Sequence, residues 1–396
     1  MNNSKVIVVG AGPVGLITAL GLARSGIEVT VLEREPAVVS SPRAMVYHSG
    51  VISGIEKLGL LDDALESGFT AGDLDFLVHS TGERISLNIS ALEGLVPHPY
   101  NLHLGQDRLA GIALEHLWRL PGADVRFGTA VTALTQDADG ATVTAESGGT
   151  PVEFRAGWVV GADGAGSAVR RQLGLELEGM TWPERFVATN IRFDYGRHGF
   201  ASANMVIDPQ YGAIVARITG DGLWRCTFCE DASLPEETVA ERIAAYFAET
   251  LPGDKDYELV QFSPYRMHQR AAATFRVGRV LLAGDAAHVT NPTGGLGLTS
   301  GLFDAFVLSE AMAAVVHGQI GDEVLDRYAE ERRRVFLEAA SPQASAFKQL
   351  VYNSADPAVL EQALTGLRAA AADVDLQRKQ MTVSQPLETP SLVARA

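Results

Sequence analysis

Cysteine is nearly missing from this chain: 396 residues hold two, Cys226 and Cys229. Two thiols cannot staple a chain of this size, which excludes a disulfide scaffold. Their C-x-x-C spacing lies in Leu223–Cys229, a segment that reads as a strand and so puts the sulfurs on opposite faces. No second cysteine pair or histidine cluster accompanies them, so no metal site is expected. Any block of Lys or Arg is also lacking, and the net charge is −16. Nucleic-acid binding draws on basic surface, so no nucleic-acid partner is expected. A continuous membrane span is missing too. Val6 to Ala23 carries no charge, but Gly10, Gly12, Pro13, Gly15 and Gly21 interrupt it. The expectation is a cytoplasmic protein with no membrane partner.

What is present suits a folded chain of more than one core: 46% hydrophobic and 20% charged residues over a length too great for one compact unit. The run Val6-Ile7-Val8-Val9 reads as a buried parallel strand. A helix from Pro13 to Ser25 and a strand from Glu28 to Leu32 follow, which is a βαβ start. Leu104 to Leu120 reads as a helix, and Trp158 to Gly161 as another apolar strand. From about Thr181 to Arg276 the strands Phe186–Phe193, Asn204–Ile207, Tyr211–Ile218 and Leu223–Phe228 follow one another without helices between them. That order predicts an antiparallel sheet inserted into an α/β protein. The α/β pattern resumes with Val280–Ala283 and a helix over Gly297–Val316.

The fold class is therefore α/β: a Rossmann-like nucleotide domain, an inserted antiparallel sheet and C-terminal helices. The expected divisions are 1–180 with a small β insertion near 70–100, then 181–276, 277–320 and 321–396. The last dozen residues read as unstructured.

Gly10-Ala11-Gly12-Pro13-Val14-Gly15 fits G-x-G-x-x-G between a strand and a helix. The first glycine permits the tight turn and the second lets the backbone approach a pyrophosphate. The third lets helix and strand pack closely, with Pro13 in the first turn. Glu33 ends the second strand, where a carboxylate can bond ribose hydroxyls, with Arg34 beside it. An acidic residue there disfavours a 2′-phosphate, so the ribose belongs to NAD or FAD.

Later segments separate those two. Val160-Gly161-Ala162-Asp163-Gly164 through Arg170, and Arg279 through Gly284-Asp285-Ala286-Ala287-His288, resemble the two flavin motifs of the para-hydroxybenzoate hydroxylase type, the group A flavin-dependent aromatic hydroxylases. Pro42-Arg43-Ala44 resembles that family's early arginine motif, and Leu104-Gly105-Gln106 the glutamine before its long helix. The motifs stand in family order from Lys5 to about Leu308. Segments at Thr181–Asn190, Tyr265–Arg270 and Thr290–Gly297 are similar to the single-component para-nitrophenol 4-monooxygenases. Leu296 and Thr299 depart from the Gln and Asn common elsewhere in the family.

The resemblance implies FAD as cofactor, with Arg43, Gln106, Val131, Asp163 and Asp285 among its contacts, and the segment Pro292, Gly295, Leu296, Gly297 and Leu298 against the flavin ring. It further implies NADH or NADPH as reductant and O2 as co-substrate. A flavin C4a-hydroperoxide would deliver a hydroxyl group to a phenol, in a protein that is a monomer or homodimer. Pro292 would flank the reacting edge, and His48 or Tyr47 could take a phenolic proton unless both simply pack on the next helix. Tyr211, Asn204, Trp224 and Arg217 are candidate substrate contacts. Arg217 is either a solvent-reaching edge residue or a cation for an acidic substituent. The rival reading is an FAD-binding protein of the same fold without this activity.

Overall fold

The computed structural model describes residues 5–40 and 44–394. Its first strand, Lys5–Val9, lies between Glu28–Leu32 and Trp158–Gly161, parallel to both. Ala123–Arg126 extends the sheet on one side and Val280–Leu282 on the other, with Arg276–Val277 antiparallel at that edge. Val6, Ile7 and Val8 are fully buried, because strands without a polar face must be covered on both sides. Helices Pro13–Arg24, Gln106–Trp118 and Leu296–Val316 share this core, as does a three-stranded antiparallel sheet over Thr129–Asp137, Gly140–Ser147 and Thr150–Ala156. Leu296–Val316 is the one helix among the described residues long and apolar enough to cross a membrane; 78% of its apolar window is buried inside the protein.

The second sheet has eight strands. In spatial order they are His288–Val289, Glu258–Ala272, Leu177–Arg192, Leu223–Asp231, Ala213–Arg217, Ala203–Ile207, Asp73–Val78 and Arg84–Asn88. The expected antiparallel strands form its middle. The two strands from 73–88, read in the sequence as part of a separate small insertion, instead complete this sheet. Asp73–Val78 pairs parallel with Ala203–Ile207, Phe76 opposite Met205. A parallel pair needs a long connection and leaves no turn signal between its strands, which is why the sequence conceals it.

One face of the large sheet is covered by the helix Val239–Thr250, whose Ile243 and Phe247 pack with Val187, Val215 and Trp224. The opposite face packs with the C-terminal helices Ser341–Tyr352 and Pro357–Ala372. Cys226 belongs to the first face and Cys229 to the second, as alternation requires.

The residues near the C-terminus, expected to lack structure, are held. Leu387 is fully buried, its carbonyl accepts from Arg332 at 2.7 Å, and the Leu392 carbonyl accepts from Arg327 at 2.8 Å.

Candidate active site

The turn after the first strand is shaped by its glycines. Gly10 sits at φ +107°, and a Cβ there would strike the Ala162 carbonyl oxygen. A Cβ at Gly15 would strike the Gly10 carbonyl oxygen, so the helix can approach the turn only through glycine. Gly12 differs: a Cβ there would meet nothing within 4 Å. The space over Gly12 belongs to a cavity of ≈ 980 Å³ that Gly10, Pro13, Glu33, Arg34, Gln106 and Val131 also line. The helix Pro13–Arg24 starts there, and its first-turn N–H groups have no intrahelical acceptor. Glu33 accepts from Ala11 N at 2.6 Å and from Glu35 N at 2.9 Å, one bond on each carboxylate oxygen. Each oxygen keeps capacity for a further donor such as a ribose hydroxyl.

In the same cavity, close to Val14 of the glycine turn, every residue from Val280 to Val289 is buried except Asp285, which lines the cavity. Two sets of bonds fix the turn that presents it. Arg170 donates to Ala286 O at 3.0 Å and Ala165 O at 2.8 Å, tying the two flavin-like motifs together. Asp304 accepts from Gly284 N at 2.9 Å, His288 Nε2 at 2.7 Å and Arg332 Nε at 2.7 Å, all inside the core. Burial alone would raise the Asp304 pKa, but the charges of His288 and Arg332 outweigh it and hold the carboxyl down at about 2.

The glycine-rich segment is pinned from below. Gln269 Oε1 accepts from Thr290 Oγ1 and Asn291 N, both at 2.6 Å, while its Nε2 donates to Ser341 O at 2.9 Å. Asn291 and Thr293 are fully buried and Pro292 between them is exposed to the cavity. Gly295, at φ +71°, caps the helix Leu296–Val316 and aims its first N–H groups toward the cavity that Gly297 and Leu298 line. The Leu296 side chain does not line it; it is fully buried in the core.

Tyr47 and His48 part company. In the short strand Val46–Tyr47, Val46 and His48 line the cavity and Tyr47 between them turns into the core. Burial raises the Tyr47 pKa far above that of a free phenol, so it cannot serve as a cavity base. His48 Nε2 donates to Gly294 O at 2.9 Å, and burial holds its pKa below the usual histidine value. With the proton on Nε2, the neutral ring presents Nδ1 as an acceptor.

Several sequence candidates fall elsewhere. Arg217 bonds Thr219 O at 3.0 Å and Gly220 O, and its guanidinium lies 5.4 Å over the Phe69 ring. Trp224, paired opposite Arg217, is buried under the helix Val239–Thr250, and Tyr211 packs beside Tyr246. Asn204 spends its amide on Ala201 and on Val215 O. Arg217, Trp224 and Tyr211 do not line the cavity and sit on the face of the sheet turned from it or at its edge, whereas Asn204 does line it. Asp163 lines the cavity, yet its carboxylate caps the helix Ala168–Gln172, accepting from Ala168 N at 2.7 Å. Arg43 lies outside the described residues. The residues lining the cavity from the sheet include Leu74, Phe76, Phe186, Ala188, Met205, Ile214, Ala216, Arg225, Thr227 and Tyr265, with Arg266 and His268 beside them. Arg225 and Gln269 were not singled out from the sequence as site residues, although each lies inside a segment that was read there, Leu223–Cys229 and Tyr265–Arg270.

A dinucleotide cradle, a carboxylate, a second helix N-terminus and an apolar wall, all lining one cavity, define an FAD-dependent oxidoreductase. The FAD binding domain family matches residues 3–341, and the chain belongs to it, among the flavin-dependent aromatic hydroxylases. It is 45% identical over 388 residues to 6-hydroxy-3-succinoylpyridine 3-monooxygenase HspB of Pseudomonas putida (strain DSM 28022 / S16), covering 97% of this chain and 98% of that protein. It is 44% identical over 345 residues to para-nitrophenol 4-monooxygenase of Pseudomonas sp. (strain WBC-3), covering 86% and 85%. The crystal structure of p-nitrophenol 4-monooxygenase PnpA from Pseudomonas putida DLL-E4 superposes with a TM-score of 0.93 at 39% identity, covering 97% of this chain and 98% of that one.

Proposed function

We propose that this protein hydroxylates a small aromatic compound that already bears a ring hydroxyl, using FAD, O2 and NADH or NADPH. The observation that carries the reading is the single cavity joining the Gly12 cradle and Asp285 to an apolar wall of Phe76, Phe186, Met205 and Ile214. Support also comes from the relatives, named for a hydroxypyridine and a nitrophenol.

FAD supplies the redox chemistry and the activation of O2 when bound. Gly10, Gly12 and the helix Pro13–Arg24 would hold its pyrophosphate, Glu33 its adenosine ribose and Asp285 its ribityl chain. The N–H groups at Leu296–Leu298 would stabilise negative charge on the reduced ring without a lysine. Pro292, held between two buried neighbours, would set the edge against which the substrate lies. His48 would take the ring hydroxyl's proton at Nδ1, which makes the carbon ring more nucleophilic. The apolar wall keeps water from the reacting atoms.

The test is turnover of the FAD-loaded enzyme with a panel of phenols and hydroxypyridines. NAD(P)H oxidation should be slow alone and accelerate with a suitable ring, and one ¹⁸O from labelled O2 should appear in the product. Label arriving from water would remove the monooxygenase reading.

A further inference from the structure

The turn that carries Pro292 is tied to two other parts of the fold by one side chain. Gln269 projects from the strand Glu258–Ala272 and is buried. Its Oε1 accepts from Thr290 Oγ1 and Asn291 N at 2.6 Å and from Asn291 Nδ2 at 3.1 Å. Its Nε2 donates to Ser341 O and Ser341 Oγ at 2.9 Å and to Ser345 Oγ at 3.1 Å. A backbone N–H can only donate and a carbonyl only accept, so these partners leave the amide one orientation. Asn291 extends the hold: its Oδ1 accepts from Thr293 N at 3.0 Å, on the far side of Pro292. Beyond it, Gly294 O accepts from His48 Nε2 at 2.9 Å, and Phe347 packs so closely on Gly294 that a Cβ there would strike its ring. Ser341, Ser345 and Phe347 share the helix Ser341–Tyr352, which follows one turn of π-helix, Phe336–Ala340. Such turns recur at functional sites.

A buried glutamine needs one partner at each end, and Gln269 has three at each. All of them belong to the segments that bring Pro292 and Phe347 to the cavity, while Gln269 itself does not line it. We propose that Gln269 is a positioning residue for the hydroxylation. Through Asn291 it fixes Pro292 against the reacting edge, and through the Gly294 carbonyl it fixes the direction in which His48 presents Nδ1. The inference rests on the proposed hydroxylase reading. A loosened turn would leave substrate binding intact and lower the fraction of bound states in which ring, substrate and His48 are aligned. NAD(P)H oxidation would then end more often in H2O2 and less often in hydroxylated product and water. The N–H groups at Leu296–Leu298 follow directly on the turn, where Gly295 N donates to Pro292 O at 3.0 Å. Their hold on negative charge in the reduced ring would weaken with it.

The experiment compares Gln269→Leu, which keeps the bulk and removes both polar ends, with Gln269→Glu. The Glu carboxyl keeps an oxygen for Thr290 and Asn291 and, protonated in its buried place, an O–H for Ser341. The FAD holoenzymes are assayed with the phenol or hydroxypyridine that most accelerates NAD(P)H oxidation by the wild type. The Leu variant should lose about tenfold or more in kcat for product, with KM within about twofold, and should release more H2O2 per NAD(P)H. Its flavin reduction potential should move to more negative values. The Glu variant should recover toward the wild type in kcat and in product per NAD(P)H. Should the Leu variant fail to hold FAD, Asn291→Ala, which spares the links of Gln269 to Thr290 and Ser341, carries the same comparison. An unchanged product yield per NAD(P)H in the variants, or a loss confined to KM, overturns the positioning role alone. A wild type that forms no hydroxylated product from any phenol or hydroxypyridine overturns the hydroxylase reading and this role with it.

Discussion

Asp304 is the residue whose loss the fold should feel most sharply. Its two oxygens serve Gly284 N–H, His288 Nε2 and Arg332 Nε, and no other carboxylate bonds Arg332 among the described residues. Asp304→Asn keeps the volume and removes the charge. Arg332 is fully buried, so it is left as an uncompensated cation, and breaking a buried pair in this way costs about 3–5 kcal/mol. The amide can accept through one oxygen only, so one of the three donors also loses its partner. Urea unfolding at pH 7, followed by far-UV circular dichroism and flavin fluorescence, measures the difference.

The pH dependence has a definite sign. The folded pKa of about 2 lies below the unfolded value of about 3.9, so the contribution of Asp304 is full above about pH 4 and is lost as the pH falls toward 2. The Asn variant should lack that part of the acid sensitivity. Replacing both charges, as Asp304→Leu with Arg332→Met, should recover much of the loss, because an apolar pair carries no desolvation penalty. A single variant within about 1 kcal/mol of the wild type would refute the argument.

Other outcomes follow from the same geometry. Gly12→Val should abolish FAD uptake by filling the open space over the cradle, and Asp285→Ala should weaken it by about tenfold or more, both read by flavin content and fluorescence titration. His48→Gln should slow substrate-dependent NAD(P)H oxidation by about a hundredfold, with FAD content unchanged, if Nδ1 takes the proton. Burial lowers the pKa of both His48 and His103, so the unfolded chain takes up protons below about pH 6.5 that the folded one does not. Stability should therefore decline as the pH falls through that value, and less so in a variant with both replaced by Gln.

The sequence shows the cofactor end well because its chemistry is local. A turn, a helix start and an acid at fixed spacing identify themselves without any knowledge of what packs on them, and Gly12, Glu33 and Asp285 all face the cavity. The substrate end is written in strand alternation, which says which residues share a face and not which face looks inward. Arg217 and Trp224 do share a face, but the helix Val239–Thr250 covers it, and Arg225 one residue on looks into the cavity. The same one-residue step separates Tyr47 from His48. Gln269 escaped notice for another reason: its partners lie 21 to 76 residues away, at Thr290, Asn291, Ser341 and Ser345.

The parallel pairing of Asp73–Val78 with Ala203–Ile207 bears on how substrate preference could be moved between relatives. A chimera that exchanges residues 177–272 alone would set a foreign strand against Leu74 and Phe76, two of the side chains that wall the cavity. The segment carrying Arg225 would then face a wall selected for some other ligand. The unit of exchange is two pieces of chain, 73–88 and 177–272, transplanted together.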